Sequence, residues 1–230
     1  NCESNVPARA HSFEGFCMIK VAILHTVASS IEVLNRKIKT KNKNVNIINI
    51  LDDSILPSLA KSSLNKEYVY NKLQKYCEFL IKEDVQAILI ACATICPFAQ
   101  YIKDKVKVEV IPIDDALACF IAKEKHHALL IGTIPSAIEE LPKLLFSKNP
   151  KIKITKEIIE RKDLGDDEKN FNYLKDNIYK AILNKDKDVD CIVFTQVSLS
   201  KIVQLEDLPS KKMVFSCDDF AIDNLLTKYD

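Results

Sequence analysis

The chain has 230 residues, with 33 lysines and arginines against 32 aspartates and glutamates, and 47% of it is hydrophobic. These proportions belong to a globular protein and exclude bulk disorder or collagen-like sequence. A net charge of +1 without a long basic cluster argues against a nucleic-acid partner, and no apolar run reaches the ~18 residues that a membrane-spanning helix needs.

Residues 1–17 have neither an apolar signal core nor the periodicity that follows. Met18 directly precedes the first strong strand, so the fold is expected to begin there. Residues 1–17 are read as a leader or an appended segment outside it. The pattern then alternates short apolar runs with amphipathic stretches. Strands are expected at Ile19–His25, Val45–Leu51, Ala87–Cys92, Val108–Ile113, Ala128–Ile131, Lys151–Ile159, Cys191–Phe194 and Lys212–Phe215. Helices are expected at Ser30–Lys39, Lys66–Lys82, Pro97–Lys105, up to Ala122, and at Ile138–Phe146, Lys169–Leu183, Lys201–Leu205 and Phe220–Lys228. Apolar strands alternating with helices imply an α/β fold with parallel sheets covered on both faces.

Internal repetition sharpens this. His25-Thr-Val-Ala-Ser-Ser-Ile-Glu-Val-Leu34 aligns with Gly132-Thr-Ile-Pro-Ser-Ala-Ile-Glu-Glu-Leu141, identical at five of ten positions. Ala87–Cys92 aligns with Asp190–Thr195, and Val110–Ala118 with Val214–Ile222, in the same order. A period of about 100 residues exceeds solenoid repeats and fits two similar α/β lobes. Residues 18–117 and 212–230 are expected to open and close the N-terminal lobe region, and 118–211 to form the C-terminal lobe. Only Gly15, Gly132 and Gly165 occur, so neither a Walker loop nor a dinucleotide fingerprint can be built.

Eight cysteines are present, mostly in apolar stretches. In a chain of this length they read as reduced thiols of a cytoplasmic protein rather than a disulfide framework. Cys92-x-x-x-Cys96 has no second Cys/His pair at zinc spacing, so no metal site is expected.

In open parallel sheets ligands bind beyond the carboxyl ends of the strands. Those ends offer His25, Thr26, Asp52, Asp53, Ser54, Cys92, Thr94, Asp114 and Asp115 in the first half. The second half offers Thr133, Thr195, Gln196, Ser198, Ser216, Cys217 and Asp218. These small polar groups suit a small carboxylate-bearing substrate held between two lobes. Cys92 ends an apolar strand ahead of a helix, whose dipole would favour its thiolate; the alternative is a small buried core thiol. His25 could tune that thiol or be a satisfied strand-end histidine. Asp114-Asp115 and Asp218-Asp219 read first as helix N-caps.

Over Ile19–Asp230 the chain resembles the aspartate/glutamate/hydantoin racemase superfamily. Ala91-Cys92-Ala93-Thr94 is similar to that family's first Cys-Asn-Thr motif, and His25-Thr26 falls where many members carry Asp-Ser. Phe194-Thr195-Gln196 falls at the second cysteine motif, with Thr195 in place of that cysteine. Val193-Phe-Thr-Gln-Val-Ser-Leu199 and Asp52-Asp53-Ser54 look like a subgroup whose second motif reads Leu-Ala-Gln-Ala-Ser-Met. The resemblance implies two pseudo-symmetric α/β/α lobes with an active-site cleft between them, no cofactor, and a homodimer as one assembly. It implies an isomerase moving a proton at the α-carbon of a small carboxylate or amino-acid-like substrate. Cys92 would be one acid/base, with a partner sought among Cys217, His25 and Thr195. Thr26, Asp53, Ser54, Thr94, Thr133, Gln196 and Ser198 would contact substrate. A threonine hydroxyl holds its proton too tightly for two-base racemisation. A single-cysteine decarboxylase of the arylmalonate type and a non-catalytic carboxylate binder therefore stand as alternatives. No arginine lies in the strand-end loops considered, which disfavours a firmly clamped dicarboxylate.

Overall fold

The computed structural model describes residues 18–61, 66–203 and 212–229. Residues 1–17, the expected leader, lie outside the described residues. In chain order the elements are β1 (Ile19–His25), α1 (Ser29–Lys41), β2 (Val45–Leu51), α2 (Ile55–Lys61), α3 (Lys66–Lys82), β3 (Ala87–Ile90), α4 (Ala99–Lys103), β4 (Glu109–Pro112) and α5 (Asp115–Glu124). The second half contributes β5 (His127–Gly132), α6 (Pro135–Lys148), β6 (Lys153–Ile158), α7 (Asp167–Lys185), β7 (Cys191–Phe194), β8 (Met213–Ser216) and α8 (Cys217–Leu226). Short 3-10 turns at Ala93–Phe98 and Val197–Lys201 follow β3 and β7.

The strands form two four-stranded parallel sheets, ordered β2-β1-β3-β4 and β6-β5-β7-β8. The central strands β1, β3, β5 and β7 are buried along almost their whole length, as their Val, Ile, Leu and Ala content requires. The edge strands β2 and β6 carry asparagines, lysines and a glutamate and are only partly covered. One apolar core runs from the first sheet through α1, α3, α5, α6 and α8 onto β5 and β7. A smaller core lies between α7 and the second sheet. The lobes thus share packing and do not merely touch. Among the described residues no helix is long and apolar enough to cross a membrane.

Four expectations are corrected. The closing strand β8 pairs with β7 and belongs to the second sheet, not to the N-terminal lobe. Its helix α8, in contrast, joins the core shared with α1, β3 and β4. Phe120, Phe215 and Phe220 pack there with ring centroids 5.0–5.7 Å apart, tying α5, β8 and α8 together. The helix expected from Pro97 begins at Ala99, because Pro97 lies inside the 3-10 turn. The helix expected at Lys201–Leu205 is instead the 3-10 turn Val197–Lys201, and Gln204 and Leu205 lie outside the described residues. Finally, α2 had no counterpart among the expected elements.

Candidate active site

The two sheets fix which residues correspond. Leu24 pairs with Ile90, and the Ala91 amide donates to the Leu24 carbonyl at 2.9 Å. Ile131 pairs with Phe194, and the Thr195 amide donates to the Ile131 carbonyl at 3.0 Å. Ala91 therefore corresponds to Thr195, and Cys92 to Gln196. Cys92 and Gln196 are both extended residues that cap the 3-10 turns, with φ, ψ of −147°, 117° and −141°, 135°. This moves the expected substitution by one position: glutamine, not Thr195, stands where the pseudo-symmetric cysteine belongs.

A cavity of about 40 Å³ opens between these strand ends. Thr26, Cys92 and Thr94 line it from the first half, and Thr195, Gln196, Ser198 and Cys217 from the second. Val27, Leu56, Ile113, Ile134 and Val197 supply apolar wall. Cys92 and Cys217 are the titratable side chains of this lining. Cys92 is half-buried, and its position at the end of β3 follows from the fully buried run Ala87–Ile90 ahead of it. Cys217 opens α8 and is buried; its Sγ donates to the Phe194 carbonyl at 3.8 Å. Burial pushes its thiol well above the ordinary thiol range, and the Asp114 and Asp218 carboxylates add to the effect.

The neutral groups are positioned unequally. Thr26 is 2% exposed, and its Oγ1 has no hydrogen-bond partner. A buried hydroxyl left unpaired in a cavity wall is a donor awaiting an acceptor. Thr94 Oγ1 and Ser136 Oγ of α6 lie 2.9 Å apart and bridge the lobes. Thr195 Oγ1 donates to the Ile131 carbonyl at 3.3 Å. Gln196 Oε1 accepts from the Thr133 amide at 2.5 Å and from the Thr133 hydroxyl and Ile134 amide, both at 3.1 Å. With its oxygen so engaged, the glutamine offers a ligand only its N–H groups.

The structure does not bring His25, Asp53, Ser54 or Thr133 to the cavity. The His25 ring is held by Ser30 Oγ at 2.7 Å and Asn49 Oδ1 at 2.9 Å. Burial lowers its pKa against the opposing hydrogen bond with Asn49, so the ring is neutral at neutral pH. Strand alternation turns it toward α1 and β2. Asp53 is exposed, and Ser54 belongs to a rim network in which Lys72, Ser54 and Tyr76 all donate to Asp52 at 2.6 Å. Burial opposes ionisation of Asp52, but these three donors outweigh it and hold the carboxyl at about 2. Thr133 sits behind Gln196 and accepts from Arg161 Nε at 2.9 Å. Arg161 was not among the expected site residues. It lies three residues past β6 and lines a neighbouring cavity of about 490 Å³ with Lys162 and Lys201, which meets the thiol cavity at Ser198. Its signal was its place after the second strand of the repeat, matching the Asp52–Ser54 turn after β2. Among the described residues no group of three or more His, Cys, Asp or Glu could hold a metal ion.

No protein-family model matches the chain, and none of the curated proteins matches it in sequence. Solved structures do match it. Glutamate racemase from Bacillus anthracis superposes with a TM-score of 0.70 at 18% identity, over 91% of this chain and 81% of that one. An aspartate racemase homologue from Pyrococcus horikoshii gives a TM-score of 0.68 at 16% identity, over 92% and 99%. Allantoin racemase from Klebsiella pneumoniae gives 0.68 at 13% identity, over 91% and 86%. With two equivalent parallel sheets meeting at a shared cavity, the chain shares the fold of these solved glutamate, aspartate and allantoin racemase structures.

Proposed function

We propose that the chain is a cofactor-independent, racemase-like isomerase that transfers a proton at the α-carbon of a small carboxylate. The observation that carries this reading is the pair Cys92 and Cys217, which reach one cavity from different elements and are its titratable groups. Removing an α-proton from one face and returning one to the other requires two acid/base groups. The Cys92 thiolate takes the proton as the C–H bond breaks. The Cys217 thiol, kept protonated by burial, delivers its proton to the opposite face of the carbanion. Net transfer leaves Cys92 protonated and Cys217 as thiolate, and exchange with water resets the pair. Among the described residues that line the cavity none is a cation, so neutral donors hold the substrate: the unpaired Thr26 hydroxyl, Thr94, Ser198 and the Gln196 N–H groups. In a water-poor site such donors stabilise developing charge more strongly than they would in water.

A second reading has its own observation. Gln196 at the place equivalent to Cys92 cannot move a proton, and Cys217 is fully buried. One accessible thiol suffices for a decarboxylase in which loss of carbon dioxide leaves a carbanion that Cys92 protonates on one face.

The test is chiral chromatography of reactions with each enantiomer of aspartate, glutamate and 5-substituted hydantoins, with arylmalonates assayed for carbon dioxide release. Interconversion of enantiomers that Cys92→Ser abolishes supports the isomerase. A single enantiomer formed with carbon dioxide moves the assignment to the lyase. Ligand-induced stabilisation without turnover of any compound contradicts both.

A further inference from the structure

The pseudo-twofold relation exposes an unbalanced charge away from the thiol cavity. Ile90 pairs with Pro112 and Phe194 with Ser216, so Asp114 corresponds to Asp218. Both aspartates are buried, at 2% and 0% exposure. Asp218 is neutralised by Lys37 of α1, with Nζ 2.7 Å from Oδ2. Position 37 of α1 corresponds to position 144 of α6, because the repeat His25–Leu34 and Gly132–Leu141 runs on without a gap. Residue 144 is leucine. Among the described residues Asp114 therefore has no ion-pair partner, and its Oδ1 accepts no hydrogen bond.

The place the absent lysine would fill is a cavity of about 260 Å³. Asp114, Asp115, Glu140 and Lys143 contribute its charges, and Cys96, Pro97, Pro112 and Leu144 its less polar wall. Lys143 is taken by Glu140 at 2.7 Å, and Asp115 by Lys148 at 2.9 Å. Asp114 alone is left uncompensated. A hard metal ion wants several oxygens at once, and no such group exists among the described residues. One buried carboxylate beneath apolar walls matches a monovalent ammonium carried on a short alkyl stem.

We propose that this cavity binds the protonated head of a small aliphatic amine on Asp114, replacing the ion pair that Lys37 gives Asp218. The site does not depend on the reaction at Cys92. Groups facing Asp114 are Cys96 beside it after β3, Asp115 on α5, Glu140 on α6 and Cys217 on α8. Burial raises the Asp114 carboxyl to about 6, against the pull of the Cys96 thiol and its own amide. Amine binding is therefore tighter above that pH than below it.

The experiment is an NMR titration of the full chain with n-butylammonium at constant ionic strength, with 1-butanol as the uncharged control. Saturable shifts at Cys96, Asp114 and Leu144 are expected, with affinity falling about tenfold from pH 7.5 to pH 5 as the carboxylate protonates. Asp114→Asn should weaken binding at least tenfold. Leu144→Lys supplies the missing lysine in place and should abolish binding while keeping the chain folded. An unresponsive wild type, equal binding by Asp114→Asn, or an equal response to 1-butanol overturns the proposal.

Discussion

Cys92 and Gln196 hold equivalent backbone positions and do different work. Cys92 presents a thiol, whereas Gln196 spends its oxygen on the Thr133 and Ile134 amides. Gln196→Ala leaves those donors without their acceptor and should cost about 1–3 kcal/mol in a urea unfolding experiment. A neighbouring pair shows the same complementarity. One residue beyond the paired Leu24–Ile90 and Ile131–Phe194, the first half has His25 and Ala91 where the second has Gly132 and Thr195. A Cβ on Gly132 would collide with Thr195 Oγ1. Gly132→Ala should destabilise by about 1–3 kcal/mol, and adding Thr195→Ala should recover part of that loss in the same assay. Asp114 supplies the pH dependence at this scale. Its carboxyl is raised in the folded chain from 3.8 to about 6, so the folded state keeps this proton longer than the unfolded chain. The stabilisation is present below about pH 4 and is lost as pH rises toward 6. Thermal melts of Asp114→Asn should therefore exceed wild type at pH 8 and converge with it at pH 4.

At the scale of elements, ion pairs join the halves where their cores already touch. Lys37 of α1 reaches Asp218 and Asp219 at 2.7 and 2.8 Å, and Glu32 of the same helix pairs with Lys201. Burial alone would lower the Lys37 pKa, but the two carboxylates raise it, Asp218 foremost. Lys37→Met strands a fully buried carboxylate and should cost about 3–5 kcal/mol. The double variant Lys37→Met/Asp218→Leu should recover most of that loss by chemical denaturation. Element positions were largely legible in the sequence because buried parallel strands are apolar on both faces. Ile19–His25, Val45–Leu51, Lys66–Lys82 and Cys191–Phe194 fall on their expected bounds. α2 was not legible: Ile-Leu-Pro-Ser-Leu-Ala-Lys is short, and Pro57 masks the helical period although the first turn tolerates it.

Across the whole molecule, repetition announced two lobes, but the register between them needed the sheets themselves. Ala87–Cys92 and Asp190–Thr195 share apolar character without an identical residue, so a slip of one position is invisible until the ladders pair Ile90 with Pro112 and Phe194 with Ser216. The same one-residue ambiguity hid which of His25 and Thr26 looks into the cleft, since adjacent strand residues face opposite ways. β8 joins β7 through tertiary pairing that local pattern does not encode. The cleft between the strand ends holds about 40 Å³, and beside it the Thr94–Ser136 hydrogen bond ties the lobes together.

The most direct measurement is α-hydrogen exchange in D₂O, followed by proton NMR on a compound that the chain is found to turn over. Starting from the enantiomer whose α-hydrogen faces Cys92, wild type should incorporate deuterium with inversion, and Cys92→Ser should lose both by about 10²–10⁴-fold. Cys217→Ser should retain exchange while losing inversion, because one face keeps its base. Undiminished exchange in Cys92→Ser, or undiminished inversion in Cys217→Ser, would contradict proton transfer between these two thiols.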